Sequence, residues 1–370
     1  MSMRIVEKFA SESPRHLSRA GHLFTNYNTP WVKHIKETFK LNSEYYQRSL
    51  ESGELIFAGY TSFHPFYSAY YHGKDPLHSL MQKLPDAKAY TGKIKHDLAH
   101  DSLRALDLCI SNQMDYTSDD DDFDTKDDSE SKLITYCQEV KDGYGMTMFY
   151  LLKAHTHYLH GNMQKAKEAL QVVEGLTAVL SGNASTSSLF NMLQSLIALD
   201  DIQKGNGDRA TLELKVEANQ KQMAIWAEHN EANFQHKYLL IEAERKRVVN
   251  EFSREALELF GKAAKSAEFY EFNRELAIIH LRNADYWMAL DQPMYAQSHM
   301  QKALYLLHTL DYKRLAKKLD KIQPELIGPG GLHGKGATEK STHSNTFDGT
   351  LDLRFLDLNS VVKASNALSE

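Results

Sequence analysis

The chain has 370 residues, a formal net charge of −6, 42% hydrophobic residues and 25% charged ones. It is too apolar for general disorder and long enough for several domains or one repeated array. Residues 115–130 hold nine acids and one lysine, so −8 falls there and the remainder stands at +2, which offers no basic face to nucleic acid or an anionic membrane. Cys109 and Cys137 lie far apart in no metal-like spacing, Arg4, Glu7 and Lys8 interrupt any amino-terminal apolar run, and no 18-residue apolar stretch exists. The expectation is a cytoplasmic protein with buried thiols and no membrane span.

Residues 1–30 read as a lead-in. Residues 54–71 are helical and rich in aromatics (Phe57, Tyr60, Phe63, Phe66, Tyr67, Tyr70), with Pro65 expected to kink the helix. Residues 86–111 continue as its partner. The acidic run 115–130 reads as a solvated loop, because like charges packed this closely resist folding inward, and removing Asp119 to Asp122 should leave stability almost unchanged.

From there the chain repeats. Turns at Gly161-Asn162, residues 205–208, residues 250–253 and residues 291–293 are each followed by an alanine (Ala166, Ala210, Ala256, Ala296), spaced 44, 46 and 40 residues apart. That period fits a helix, a tight turn, a second helix and a connector. Ala256, Phe260, Ala263, Ala267 and Tyr270 form one apolar stripe stepping by four and three, as do Ala296, Met300, Ala303, Leu307 and Leu310. The Ala210 unit fits less well, since Glu217 falls on its stripe. First helices of the pairs are predicted at about 145–160, 187–204, 233–249 and 273–290. The fold class is therefore all-α, an α-solenoid of helix-turn-helix repeats over residues 31–326, each pair burying its apolar face against its neighbours. Residues 327–350, rich in Gly, Ser and Thr, read as a flexible linker, and 351–370 as the start of a connector helix that looks cut from something longer.

No catalytic constellation emerges. His96 and His100 stand one helical turn apart, but Asp97 replaces the glutamate of a zinc-protease motif and no third ligand is evident. His155, His157 and His160 fall on different faces of one helix. Gly328 to Gly336 lacks the spacing and the Ser or Thr of a phosphate loop. The acidic run lacks the central glycine and closing glutamate of a calcium loop. The aromatic cluster 57–71 has helical spacing and reads as core. No catalytic, cofactor-binding or metal-binding residue, and no cofactor, is expected.

Two stretches are distinctive: WAEHNEANFQHKYLLIEAERKR, from Trp226 to Arg247, and ALELFGKAAKSA, from Ala256 to Ala267. With LDKIQPEL from Leu319 to Leu326, they resemble the tetratricopeptide-like region of large hybrid sensor histidine kinases, most closely of the fungal type. LDLNSVVKASNALS, from Leu356 to Ser369, is similar to the lead-in to the GAF domain in that family. There the repeats follow a kinase-like and an AAA-type ATPase domain and precede the GAF domain, the histidine kinase core and often a receiver. The resemblance implies a non-catalytic scaffold and signal-relay segment in a phosphorelay, with neighbouring domains and other signalling proteins as partners. It carries over no catalytic residue, because no phosphate-accepting histidine box, kinase motif, receiver aspartate or Walker motif is present. The competing reading is a free-standing adaptor that binds a peptide or protein in its concave groove.

Overall fold

A computed structural model describes residues 14–176, 180, 182–249 and 253–322. Among the described residues every regular element is helical. The helices are α1 (Pro14–Leu23), α2 (Thr29–Val32), α3 (Glu37–Glu51), α4 (Leu55–His72), α5 (Leu77–Met81), α6 (Leu84–Lys93), α7 (Asp97–Gln113), α8 (Glu130–Val140) and α9 (Gly143–Leu159). They continue as α10 (Met163–Glu174), α11 (Ala184–Lys204), α12 (Arg209–His229), α13 (Glu231–Val249), α14 (Arg254–Phe269), α15 (Asn273–Ala289), α16 (Pro293–Thr309) and α17 (Lys313–Ile322). A short π-helical stretch, Phe24–Asn28, joins α1 to α2. The expected linker 327–350 and connector 351–370 lie outside the described residues. The lead-in is itself helical from Pro14, and α4 runs through Pro65 to His72. The single helix expected over 86–111 is two, α6 and α7, separated at Lys95, which takes a left-handed conformation (φ 53°).

One local device ends helix after helix. Glu271, Asp291 and Asp311 adopt left-handed φ of 61°, 55° and 63°. The amide of the residue after each reaches back to a carbonyl five positions earlier: Phe272 to Ala267, Gln292 to Trp287, Tyr312 to Leu307, at 2.8–2.9 Å. This closure satisfies carbonyls that the helix end would leave bare. Gly161 and Gly205 make the same turn (φ 76° and 70°), with Asn162 bonding His157 and Asn206 bonding Asp201. Side-chain caps start α12 and α14, Asp208 accepting from the Thr211 amide and Ser253 from that of Ala256.

The helices form two layers. The outer ones bury a single stripe: Ala256, Phe260, Ala263 and Ala267 on α14, and Ala296, Met300, Ala303 and Leu307 on α16. Ala256 and Ala296 are both fully buried, as the repeat requires. In α12 the stripe begins a turn later, at Val216, and runs through Gln220, Met223 and Ala227, while Ala210 is exposed. The inner helices α7, α9, α11, α13 and α15 are buried on most of their faces, Arg274 to His280 of α15 without a break.

The array then closes on itself, which an open solenoid does not do. Helix α17 packs on α7, and α2 packs on α11 and α12. The Leu77 amide donates to the Leu310 carbonyl at 3.0 Å and the Arg274 amide to that of Gly73 at 3.1 Å, joining turns some two hundred residues apart. Gly73 is left-handed (φ 61°), and a Cβ there would sit 2.7 Å from Cβ of Arg274, so only glycine admits this approach.

The acidic segment is a loop with Asp119, Asp121, Asp124 and Asp127 exposed, and it also takes part in the closure. Phe123 inserts its ring into the core against Phe149 and His157, and the Asn112 amide group donates to the carbonyls of Asp119 and Asp122 (3.1 and 2.8 Å). Several of its carboxylates pair with cations from other helices. Asp115 pairs with Arg314 (3.2 Å) and Lys317, Asp120 with Lys318 (2.8 Å), Asp121 with Lys165, and Asp128 with Arg104 (2.6 Å). The ring of Phe123 turns inward while the carboxylates around it stay at the surface, where countercharges from other helices meet them.

Candidate functional site

Polar side chains converge on the inner face of the closed array. At its centre Arg274, 1% exposed, donates to the carbonyls of Tyr70 (2.6 Å) and Tyr71 (3.3 Å) and to Oε1 of Glu275 (2.7 Å). Its guanidinium lies 4.8 Å from the centroid of the Tyr70 ring. The Tyr70 hydroxyl meets Nδ1 of His155 at 3.1 Å and accepts from Nε2 of Gln113 at 2.9 Å, which also donates to the Thr156 hydroxyl at 2.7 Å. Four helices, α4, α7, α9 and α15, are thus tied by one buried network. Beside it, burial pulls the Lys237 ammonium down to about 8, partly offset by Glu275 at 4.0 Å. A cavity lined by Ser185, Ser188, Asn233, Lys237, Arg274 and Glu275 measures about 20 Å³, room for about one water molecule. A nucleotide or peptide needs a space many times larger.

A second node joins three inner helices. Arg282 of α15 donates through Nε to Oε1 of Glu244 (2.8 Å) and through its terminal nitrogens to both oxygens of Asp200 (2.7 and 3.2 Å). Glu244 is fully buried and also pairs with Arg247 at 3.3 Å. Burial and the surrounding carboxylates lift the Asp285 carboxyl nearby.

The stretch from Trp226 that carries the family resemblance has a structural task. Its Asn230 and Asn233 side chains donate to the carbonyls of Pro30 and Lys33 at 2.7–3.0 Å, and the Ile35 amide donates to Oδ1 of Asn233 at 3.0 Å. Trp226 and Phe234 pack against Trp31, with ring centroids 5.4 and 5.7 Å apart. The His236 ring packs tilted against Phe272, with centroids 4.4 Å apart. This segment grips residues 30–35 and so fixes the N-terminal helices to the repeats. Sequence reasoning missed that role, since neither the partners nor their separation of about two hundred residues leaves a periodic signal.

The histidines singled out in the sequence do not converge on a metal. His96 caps α7, its Nδ1 accepting from the Ala99 amide at 3.2 Å, while its ring stands edge-on to Tyr60. His100 turns instead to the Lys88 carbonyl and the Thr91 hydroxyl. His155 joins the Tyr70 network, and His157 and His160 lie under the acidic segment, where burial holds both at about 4 against the opposing pull of Asp121 and Asp120. The aromatic cluster 57–71 is largely core: Phe63, Tyr67, Tyr70 and Tyr71 are buried. Gly328 to Gly336 lies outside the described residues. Both cysteines are free and buried, as expected. No helix among the described residues is long and apolar enough to cross a membrane.

No curated protein and no solved structure matches the chain. Residues 189–327 match the family described as CHK1-like, TPR repeats. That span runs from within α11 through α17. The match and the paired helices agree with the resemblance to histidine-kinase-type proteins: this part of the chain is a tetratricopeptide-like repeat region similar to the repeats of CHK1-like proteins.

Proposed function

We propose that this chain is a non-catalytic scaffold and signal-relay segment of a cytoplasmic hybrid sensor histidine kinase working in a phosphorelay. The observation that carries the reading is closure. The first helices are bonded to the last repeats, the acidic segment clasps α17, and the inner face is filled by the chain's own side chains. A body tied across its own ends is stiff, so a displacement imposed at one end is passed to the other instead of being absorbed. Repeat arrays of this kind generally contact proteins, and with the inner face filled, neighbouring domains of the parent kinase and other signalling proteins would dock on the outer helices. The adaptor reading, in which a peptide enters the concave groove, would need that inner face to be open.

The test has two arms. The purified 370-residue chain, incubated with radiolabelled ATP, should acquire no stable phosphate on histidine or aspartate. In the full-length parent kinase, loosening the array with Ala256→Arg or Ala296→Arg should change the response to stimulus while the isolated kinase core keeps its activity. Phosphate on the chain, or an unaltered stimulus response in a kinase whose repeats have been shown to melt, would overturn the proposal.

A further inference from the structure

Away from the inner network, the C-terminal end of α8 and the turn into α9 press against α7 and bring a second kind of cluster together. Asp101 of α7, Cys137 of α8 and Asp142 of the turn each present one donor atom, and these atoms lie within 4.8 Å of one another. Asp101 and Cys137 are fully buried. Each carboxylate has one oxygen accounted for. Oδ1 of Asp101 accepts from Arg104 at 2.9 Å, and Oδ1 of Asp142 accepts from the amides of Tyr144 and Gly145 at 3.0 Å. The other two oxygens, Oδ2 of Asp101 and Oδ2 of Asp142, are buried with no hydrogen-bond partner. An unpartnered buried carboxylate oxygen costs several kcal/mol, and two of them beside a thiol form an arrangement that a cation relieves. Arg104 does not fill that role, because its guanidinium is held by a bidentate pair with Asp128 (2.6 and 2.9 Å). The backbone leaves space as well. A Cβ on Gly145 would fall 2.6 Å from Oδ2 of Asp142, 3.1 Å from Sγ of Cys137 and 3.2 Å from Cβ of Asp101, so a glycine keeps the cluster open.

We infer that Asp101, Cys137 and Asp142 form a site for a divalent transition-metal ion of borderline softness, of which zinc is the type. The donor set is two carboxylate oxygens and one sulfur, and a metal of this class accepts both, whereas calcium and magnesium require oxygen throughout. Zinc bonds of about 2.0–2.3 Å would need the donors to close on a common centre by roughly 1 Å or less, within the reach of side-chain rotation. On binding, the ion takes the thiolate and the thiol proton leaves to solvent. Arg104 acts from outside the donor set, orienting Asp101 through its other oxygen. The metal would pin the α8–α9 turn to α7, one of the helices on which α17 closes. In the metal-free protein burial, helped by the neighbouring carboxylates and opposed by Arg104, pushes the Asp101 carboxyl up to about 6, and burial raises that of Asp142.

Cobalt(II) is the probe, because its thiolate charge-transfer band reports a cobalt–sulfur bond and ignores adventitious binding to the 18 histidines. The purified full chain, stripped with chelator and titrated with Co²⁺, should develop that band to saturation at one ion per chain and lose it when Zn²⁺ is added. Cys137→Ser should abolish the band and Cys109→Ser should keep it. Asp101→Asn and Asp142→Asn should each weaken binding by about 10-fold or more. Each variant is checked for wild-type helical signal; should Cys137→Ser not fold, the partly exposed Asp142 gives the decisive variant. If the wild-type chain shows no thiolate band at saturating Co²⁺, the inference falls. A band that survives Cys137→Ser, or is indifferent to both aspartate substitutions, overturns it equally.

Discussion

Replacing Arg282 by methionine keeps most of the side-chain volume but removes the one cation that bridges Asp200 and Glu244. Those carboxylates are 6% and 0% exposed. Glu244 retains Arg247 at 3.3 Å, so the uncompensated charge falls chiefly on Asp200, which then has no cation bonded to it. Stranding one partner of a buried pair costs about 3–5 kcal/mol, and this is the loss expected for Arg282→Met. Asp200→Leu in the same chain removes the stranded charge, so the double variant should be more stable than the single one by about 2 kcal/mol. Equilibrium urea unfolding at pH 7, followed by the helical circular dichroism signal, measures all the variants. A loss below about 1 kcal/mol for Arg282→Met, or additive losses for the two substitutions, would show that no buried charge was stranded and would refute the reasoning.

Ala296→Arg forces a long cation into a fully buried position where α16 crosses its partner, and should cost at least several kcal/mol, read as a collapse of the melting temperature of the C-terminal repeats. Asp115→Asn with Asp120→Asn should loosen α17, seen as faster amide exchange over residues 313–322, with the gap from wild type narrowing as salt rises because the pairs with Lys317 and Lys318 are partly exposed. Asp291→Gly relieves a left-handed aspartate at an exposed turn and should raise the urea midpoint by up to about 1 kcal/mol in stability. His72, His157, His160 and His299 are held at about 4 by burial, below the ordinary imidazole value near 6.5. The unfolded chain therefore binds the extra protons between those values, so their contribution is complete above pH 6.5 and lost as pH falls towards 4; a urea midpoint that stays constant across that window would contradict it.

The repeat, the helical class and the burial of Ala256 and Ala296 were legible in the sequence because they depend on local periodicity. A stripe stepping by four and three must face a neighbour, and turn residues recur wherever the chain reverses. The same logic misplaced Ala210, since α12 enters a turn early and its stripe starts at Val216. It also passed over Glu271 and Asp311, which turn the chain without a glycine. What only the tertiary structure decided is everything that joins residues distant in the chain. Asn230 and Asn233 gripping Pro30 and Lys33, Arg274 reaching Tyr70, and Arg314 and Lys318 pairing with the acidic segment all span some two hundred residues, and so does the closure they produce. Asp101, Cys137 and Asp142 converge for the same reason, across a gap no chelating motif spans. Periodicity reports which face of a helix is apolar. It does not report which partner that face meets, and in this chain the buried charges and the filled inner face follow from the partner.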